Sequence, residues 1–210
     1  MINNYIIPIK TAFSIAPIII LLLMGPFSVY QYKKYGYINR LKTIVLISFV
    51  FYIVSAFCLV ILPLPSYNYI PKEAIKPQLV PFTALMDIGK EFNIMIDKNF
   101  SIVQAIFKNK AILQIIFNLM LMAPLGFFIT YYFKRELKTI IVITFIVSLF
   151  FEVTQLTGNF GMYNFAYRLF DVDDLIINTL GGIVGYYTVP LANKIFPEIS
   201  NEKREFCKIL

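Results

Sequence analysis

Long apolar runs separated by short polar clusters are the dominant pattern of the chain. Five of these runs, residues 11–30, 43–62, 111–133, 139–157 and 175–196, reach the length of about 20 residues that carries a helix across a hydrocarbon core of about 30 Å. The fourth run contains a single acid, Glu152. Between the second and third runs lies the longest non-spanning segment, residues 63–110, bounded by Pro63-Leu64-Pro65 at one end and by Lys108 and Lys110 at the other. Within it Leu85, Ile88, Phe92 and Ile96 recur at helical spacing, while Asp87, Lys90, Glu91 and Lys98 fall mostly elsewhere on the wheel, which predicts an interfacial helix. Thr83, after Pro81, is the expected N-cap of that helix, and Ser101 with Gln104 forms a capping-box pair expected to start a helix running into the third span. The predicted fold is therefore all-α: a polytopic transmembrane bundle of about five spans forming one domain over residues 1–196, with an external interfacial helix between spans 2 and 3. A polar tail, residues 197–210, follows, and no internal repeat is visible.

Composition agrees with this reading. Of 210 residues 59% are hydrophobic and 15% charged, against about 45–50% and about 25% in soluble domains. The mean hydropathy of +0.72 excludes a disordered chain. With no histidine, imidazole general-base chemistry and His-ligated zinc are excluded. Cys58 lies in a span and Cys207 in the tail, so neither a disulfide framework nor a cysteine metal cluster is available. The net charge of +7 acquires meaning from its distribution along the chain. Lys33, Lys34, Arg40 and Lys42 follow the first span, Lys134, Arg135 and Lys138 the third, and Lys194, Lys203, Arg204 and Lys208 the fifth. Basic residues in short loops mark the cytoplasmic side, so the N-terminus is expected outside, the C-terminus and tail inside, and segment 63–110 outside. The charge thus points to a multi-pass cell-membrane protein and gives no nucleic-acid partner. A cleaved signal peptide fits the first run poorly, because its charge follows the apolar stretch, no A-x-A site is present, and Pro17 and Pro26 would mark bends in a retained helix. With no tryptophan, interface anchoring falls to Tyr30, Tyr32, Tyr35, Tyr37, Tyr131 and Tyr132.

The candidate chemistry gathers near one end of three spans. At about 1.5 Å per residue, Asn118 lies about 10 Å, Glu152 about 8 Å and Asn178 about 6 Å below the outer ends of their helices. Each belongs to a polar stripe: Gln114 and Asn118; Thr144, Ser148, Glu152 and Gln155; Asp171, Asp174, Asn178, Gly181 or Gly182, and Gly185. An intramembrane acid costs about 2.5–3.5 kcal/mol near a span centre and normally has a partner. For Glu152 the obvious cation is Arg168 in the following loop, although a bound metal or a protonated Glu152 would also remove the cost; the pair reads either as a structural tie or as part of a functional site. Asp171, Asp173 and Asp174 suit a helix N-terminus, with Asp171 as N-cap, yet three acids within four residues also suit a divalent cation or a cationic headgroup. Gly181, Gly182 and Gly185 read as a close helix-packing face. Pro124 with Gly126 is expected to kink the third span.

Several segments carry a resemblance: Phe117-Asn118 with Pro124-Leu125-Gly126; Ser148-Leu149-Phe150-Phe151-Glu152-Val153-Thr154-Gln155-Leu156; and above all Arg168-Leu169-Phe170-Asp171-Val172-Asp173-Asp174-Leu175 with Asn178-Thr179-Leu180-Gly181-Gly182. They resemble the VanZ-like family of bacterial membrane proteins, closely from Phe117 to Tyr186. A weaker likeness in Pro63-Leu64-Pro65 and Gln78-Leu79-Val80-Pro81-Phe82 extends over most of the chain. Ala123-Pro124-Leu125-Gly126 departs slightly, since the family often has an aromatic before the glycine. The resemblance implies a multi-span protein associated with low-level resistance to teicoplanin and related glycopeptides, mostly in Gram-positive bacteria. The family's shared polar residues map onto Asn118, Glu152, Gln155, Arg168, Asp171, Asp173, Asp174 and Asn178, the set that depth isolates independently. Three functions follow as expectations: an outward polar pocket that binds or alters a lipid or lipid-linked cell-wall precursor, with Glu152, Asp173 or Asp174 as candidate acid/base groups; a lipid transporter; or a structural or partner-binding membrane protein, the partner being another membrane protein. A transporter is disfavoured because the strong polar residues share one depth.

Overall fold

The computed structural model describes residues 3–62, 64–65 and 75–196, of which residues 3–5 are described as backbone only. Pro63, Glu73 and the tail 197–210, with Cys207 and its charges, lie outside the described residues. The described chain is helical, and its β-type pairing is one isolated parallel bridge between Gln78 and Asp171. Five helices are long and apolar enough to cross a membrane: α1 (Asn3–Tyr35), α2 (Arg40–Ile61), α5 (Lys110–Phe133), α6 (Leu137–Leu156) and α8 (Val172–Ala192). Between α2 and α5 lie α3 (Thr83–Asp97) and α4 (Ile102–Lys108), and α7 (Gly158–Gly161) is a single turn.

The helix limits depart from the apolar runs where polar flanks remain helical. α1 starts well before residue 11 and continues past residue 30 to Tyr35, where Gly36 at φ 74° donates its N–H to the Tyr32 carbonyl at 2.9 Å. A left-handed glycine of this kind is the usual helix stop. α8 begins at Val172, ahead of its apolar run, because Asp171 caps it, and it ends at Ala192.

The chain divides into two compact units. One comprises residues 1–63, 127–136 and 187–210, so it holds α1, α2 and the last turns of α5 and α8. Its α1–α2 corner is fastened by Gln31, 1% exposed, which accepts the Asn39 N–H at 2.9 Å and donates to the Thr43 hydroxyl at 3.0 Å. Tyr131 and Val189 form a buried pair lined by Leu41, Val45, Phe127 and Tyr132. Over this corner the Lys42 ammonium sits 5.9 Å from the Tyr35 ring and 5.6 Å from the Tyr132 ring, and the Lys34 ammonium lies 5.3 Å from the Tyr30 ring. The ends of α1, α5 and α8 and the start of α2 therefore gather in this unit together with their basic and tyrosine residues.

The second unit comprises residues 64–126 and 137–186. Here the helix starts differ from two expectations. The Ser101–Gln104 capping box forms, with both bonds at 3.3 Å, but the helix it starts stops at Asn109 instead of running into the third span. Asn109 is fully buried; its extended backbone breaks the helix, its carboxamide oxygen accepts the Ile112 N–H at 3.1 Å to begin α5, and its amide donates to the Ile88 carbonyl at 3.0 Å. Glu91 of α3 accepts the Lys110 N–H at 2.6 Å and the Ala111 N–H at 3.3 Å, placing a carboxylate at the positive end of α5. Thr83 is likewise the first helical residue of α3 and not its N-cap, since Phe82 occupies the cap position at φ 67° with no side-chain cap bond of its own.

Close approach in this unit depends on glycine. A Cβ on Gly126 would overlap the Gly182 carbonyl, one on Gly181 the Leu119 carbonyl, and one on Gly182 the Thr144 side chain, so α8 meets α5 and α6 backbone to backbone or nearly so. Beyond α6, Gly158, Asn159 and Phe160 follow one another in the left-handed region at φ 62°, 59° and 56°. That turn brings the Thr157 hydroxyl to the Phe160 N–H at 3.1 Å and reverses the chain toward the Arg168–Asp174 segment.

Candidate functional site: a carboxylate cluster joining four helices

Within the second unit the segment before α8 is the meeting point. The Gln78 N–H donates to the Phe170 carbonyl at 2.8 Å and the Val172 N–H donates to the Gln78 carbonyl at 3.1 Å, so the strand-like stretch ahead of α3 runs beside Asp171. The Gln78 side chain also bonds both polar groups of Val80 and the Thr83 hydroxyl. The chain entering α3 is thereby locked to the chain entering α8.

Each acid of the Asp171, Asp173 and Asp174 trio then takes a separate partner. Asp171 Oδ1 accepts the Asp173 N–H at 2.9 Å and caps its own helix. Burial raises the pKa of its carboxyl above the usual aspartate range, with the neighbouring charges of Asp173 and Asp87 adding to the shift and the hydrogen bond from the Asp173 amide opposing it. Asp173, 3% exposed, reaches out to α3 and accepts the Phe82 N–H at 2.5 Å, the Ala84 N–H at 2.7 Å and the Thr83 hydroxyl at 3.0 Å. It is the missing cap of α3, supplied by another helix. Asp174 turns to α5, where its Oδ1 accepts from Asn118 Nδ2 at 2.5 Å and from Gln114 Nε2 at 3.0 Å.

α6 contributes the fourth carboxylate. Glu152, 5% exposed, accepts the Asp171 N–H at 3.1 Å, and one turn earlier Ser148 accepts from Asn178 Nδ2 at 2.8 Å. Gln155 is buried on α6, one turn after Glu152. Arg168 is half-buried in the preceding loop, close enough for its charge to attract the Glu152 carboxylate. The eight polar residues selected from the sequence thus all fall in this unit, and six of them, Asn118, Glu152, Asp171, Asp173, Asp174 and Asn178, join α3, α5, α6 and α8 through the bonds described. Among the described residues no group of three or more His, Cys, Asp and Glu side chains is arranged to hold a metal ion. The divergent aspartates give the reason: acids crowded in sequence point to three different elements.

Among the described residues two buried polar atoms lack a hydrogen-bond partner, Asn178 Oδ1 and the Tyr167 hydroxyl. An unsatisfied buried group costs about 1–3 kcal/mol. The Tyr167 phenol is raised above its usual pKa by burial, against the opposing pull of the Arg168 charge.

All eight polar residues also lie inside one stretch of recognisable family sequence. A family model described as VanZ/LLP1 matches residues 49–193, more than half the chain. The chain belongs to the VanZ-like family. No curated protein and no solved structure matches it. As a VanZ-like protein it is of multi-pass membrane type, and its family region includes α3 to α8 and most of α2 but not α1. Sequence reasoning missed Glu91, Asn109, Gln31 and Tyr167. Asn109 beside Lys110, directly ahead of an apolar run, carried a readable N-cap signal. Glu91 and Gln31 bond residues 8 to 20 positions away and the Tyr167 hydroxyl has no hydrogen-bond partner, so none of the three has a local signature.

Proposed function

We propose that the protein contributes to low-level resistance to teicoplanin and related lipoglycopeptides by binding or altering a lipid or lipid-linked cell-envelope precursor at an outward-facing polar cluster. The observation that carries this reading is the joint presence of a buried intramembrane acid, Glu152, and an unpartnered buried carbonyl, Asn178 Oδ1, on facing helices of a VanZ-like chain. Both are costly in a bilayer, and ionisable groups within spans are by default functional. An amphiphile suits such a place: its head meets Glu152, Asp174 and Arg168, with the guanidinium taking a phosphate, while its tail stays among apolar helix faces. Asp173 is occupied by α3, so proton transfer or headgroup binding falls to Glu152 and Asp174. α3, lying at the outer interface, borders the cluster in this reading.

The competing reading, a charged knot that only packs helices or docks a membrane-protein partner, is favoured by the number of bonds that end on backbone amides. Resistance and membrane abundance, measured together for Glu152→Gln, Arg168→Gln and the double variant in a sensitive host, separate the two. A binding site predicts normal abundance with lost protection in each single variant and no recovery in the double. A structural tie predicts reduced abundance in the singles and partial rescue in the double, because half of a buried pair costs more than none. Unaltered protection in both single variants removes these residues from the site.

A further inference from the structure

Where α8 meets α5 and α6, two carboxylates and one amide carbonyl retain acceptor sites, with the Arg168 charge near Glu152. Asp174 and Glu152 are held through one oxygen each by neutral donors, the Gln114 and Asn118 amides and the Asp171 N–H. An ionised carboxylate offers about four lone-pair sites, so these bonds leave acceptor capacity unused. One turn further along α8, Asn178 is 4% exposed; its amide is committed to Ser148, one turn before Glu152 on α6, and its Oδ1 has no partner. The unused carbonyl thus lies on the same two helix faces as the carboxylates, one turn away. What suits these acceptors is a donor that carries positive charge and no acceptor.

We propose that Glu152, Asp174 and Asn178 Oδ1 form a seat for the primary ammonium of a lipid headgroup, of the kind carried by an aminoethyl phosphodiester. Resting on the reading above that the cluster takes a headgroup, the inference adds its chemistry. An ammonium has three donors and no acceptor, which matches two carboxylates and one carbonyl. A hard divalent ion asks for six or more oxygens and finds no such group among the described residues. The source is a lipid rather than a soluble amine because the helix bearing the Asp174 donors exposes Ile116 (46%), Phe117 (61%) and Met120 (63%) beside half-buried Asn118, an apolar strip along which acyl chains lie.

The test uses the full chain, purified in detergent and reconstituted in nanodiscs. Retained lipid is quantified by mass spectrometry against phosphatidylethanolamine, its N-trimethylated counterpart phosphatidylcholine, phosphatidylglycerol and free ethanolamine. Retention of phosphatidylethanolamine over phosphatidylcholine should be about tenfold or more, because one hydrogen bond to a charged group is worth about that factor, and free ethanolamine should not compete at equal concentration. Asp174→Asn should abolish the preference, and Asn178→Leu, which removes the orphan carbonyl at similar volume, should reduce it. Equal retention of the three lipids overturns the ammonium seat and leaves the headgroup reading standing. Lipid retention no greater than in an unrelated five-span control overturns both. Competition by free ethanolamine or by Mg²⁺ alone overturns the lipid source or the ammonium, respectively. Because the lipids are compared on the wild type, misfolding of either variant leaves the test of the seat intact.

Discussion

Removing the Asp173 carboxylate should release the amino-terminal end of α3 before it affects anything else. In Asp173→Ala three donors lose their acceptor at once: the Phe82 N–H at 2.5 Å, the Ala84 N–H at 2.7 Å and the Thr83 hydroxyl at 3.0 Å. A hydrogen bond to a charged group is worth about 1.5–3 kcal/mol, and loss of an N-cap alone about 1 kcal/mol. The bonds share one carboxylate and do not add, so a total of about 3 kcal/mol is the working figure, equivalent to about 100-fold in a local opening equilibrium. α3 has no buried residue, Leu85 and Met86 are 63% and 66% exposed, and its bonds through Ile88 and Glu91 to Asn109 and the start of α5 lie beyond its first turn. Hydrogen exchange of the full chain in nanodiscs should therefore show α3 amides exchanging about 100-fold faster while those of α5 and α6 keep their protection. Asp173→Asn, which keeps one acceptor oxygen and turns an NH₂ toward the other donors, should fall between. Asp87→Asn is the control, because its ion pair with Lys90 at 2.9 Å is on the surface, with side chains 54% and 70% exposed, and should contribute little. Unchanged α3 exchange in Asp173→Ala would refute the capping role and return Asp173 to the candidate chemistry.

Gly126→Ala should lower folded yield more severely than Gly182→Ala, because the first Cβ meets a carbonyl of the facing helix and the second meets the Thr144 side chain; Thr144→Ala should partly rescue only the second, as read by monodisperse protein in detergent. Divalent cations (Ca²⁺, Mg²⁺ or Mn²⁺) should raise the wild-type melting temperature no more than that of an Asp173→Asn, Asp174→Asn double variant, since the aspartates serve separate elements; a larger wild-type shift would restore a metal site. A cysteine at Gly161 should react with an impermeant thiol reagent on intact cells and one at Lys34 should not, as the distribution of basic residues requires; the reverse pattern would invert the orientation.

The spans were legible because a bilayer imposes a length and a composition that five stretches of this chain satisfy. The limits were less so, since polar flanks such as Gln31 to Lys34 continue the helix and a single glycine, Gly36, ends it. Asp171 was legible as the cap of α8 because a cap lies beside the amide that it serves. The cap of α3 was not, because Asp173 is about 90 residues distant from the amides it accepts and Thr83 supplies the local pattern of a cap without filling the position. Asn118 and Asn178 were found by depth, a rule that works for membrane helices since their polar residues must face inward. Depth located Glu152 equally well but could not assign the Asp171 amide to its carboxylate, because backbone donors leave no trace in a sequence pattern.

The order of the three aspartates explains how one short segment can organise four helices. Successive residues on a helix point about 100° apart, so Asp173 and Asp174, adjacent in the first turn of α8, face α3 and α5 respectively, while Asp171 just outside that turn stays on its own helix. The Asp171 amide, left over by the cap, is taken by Glu152 of α6. Mutual repulsion is therefore lowered by divergence, by neutral donors on each acid and by the Arg168 charge near Glu152. The same economy fixes where chemistry remains available. Asp173 accepts three donors and Asp171 is bound to its cap, whereas Asp174 accepts side-chain amides and Glu152 one backbone N–H, one turn from the unpartnered Asn178 carbonyl. Under the proposed function the two roles separate residue by residue: replacing Asp173 should loosen the helix end it caps, and replacing Glu152 or Asp174 should weaken headgroup binding.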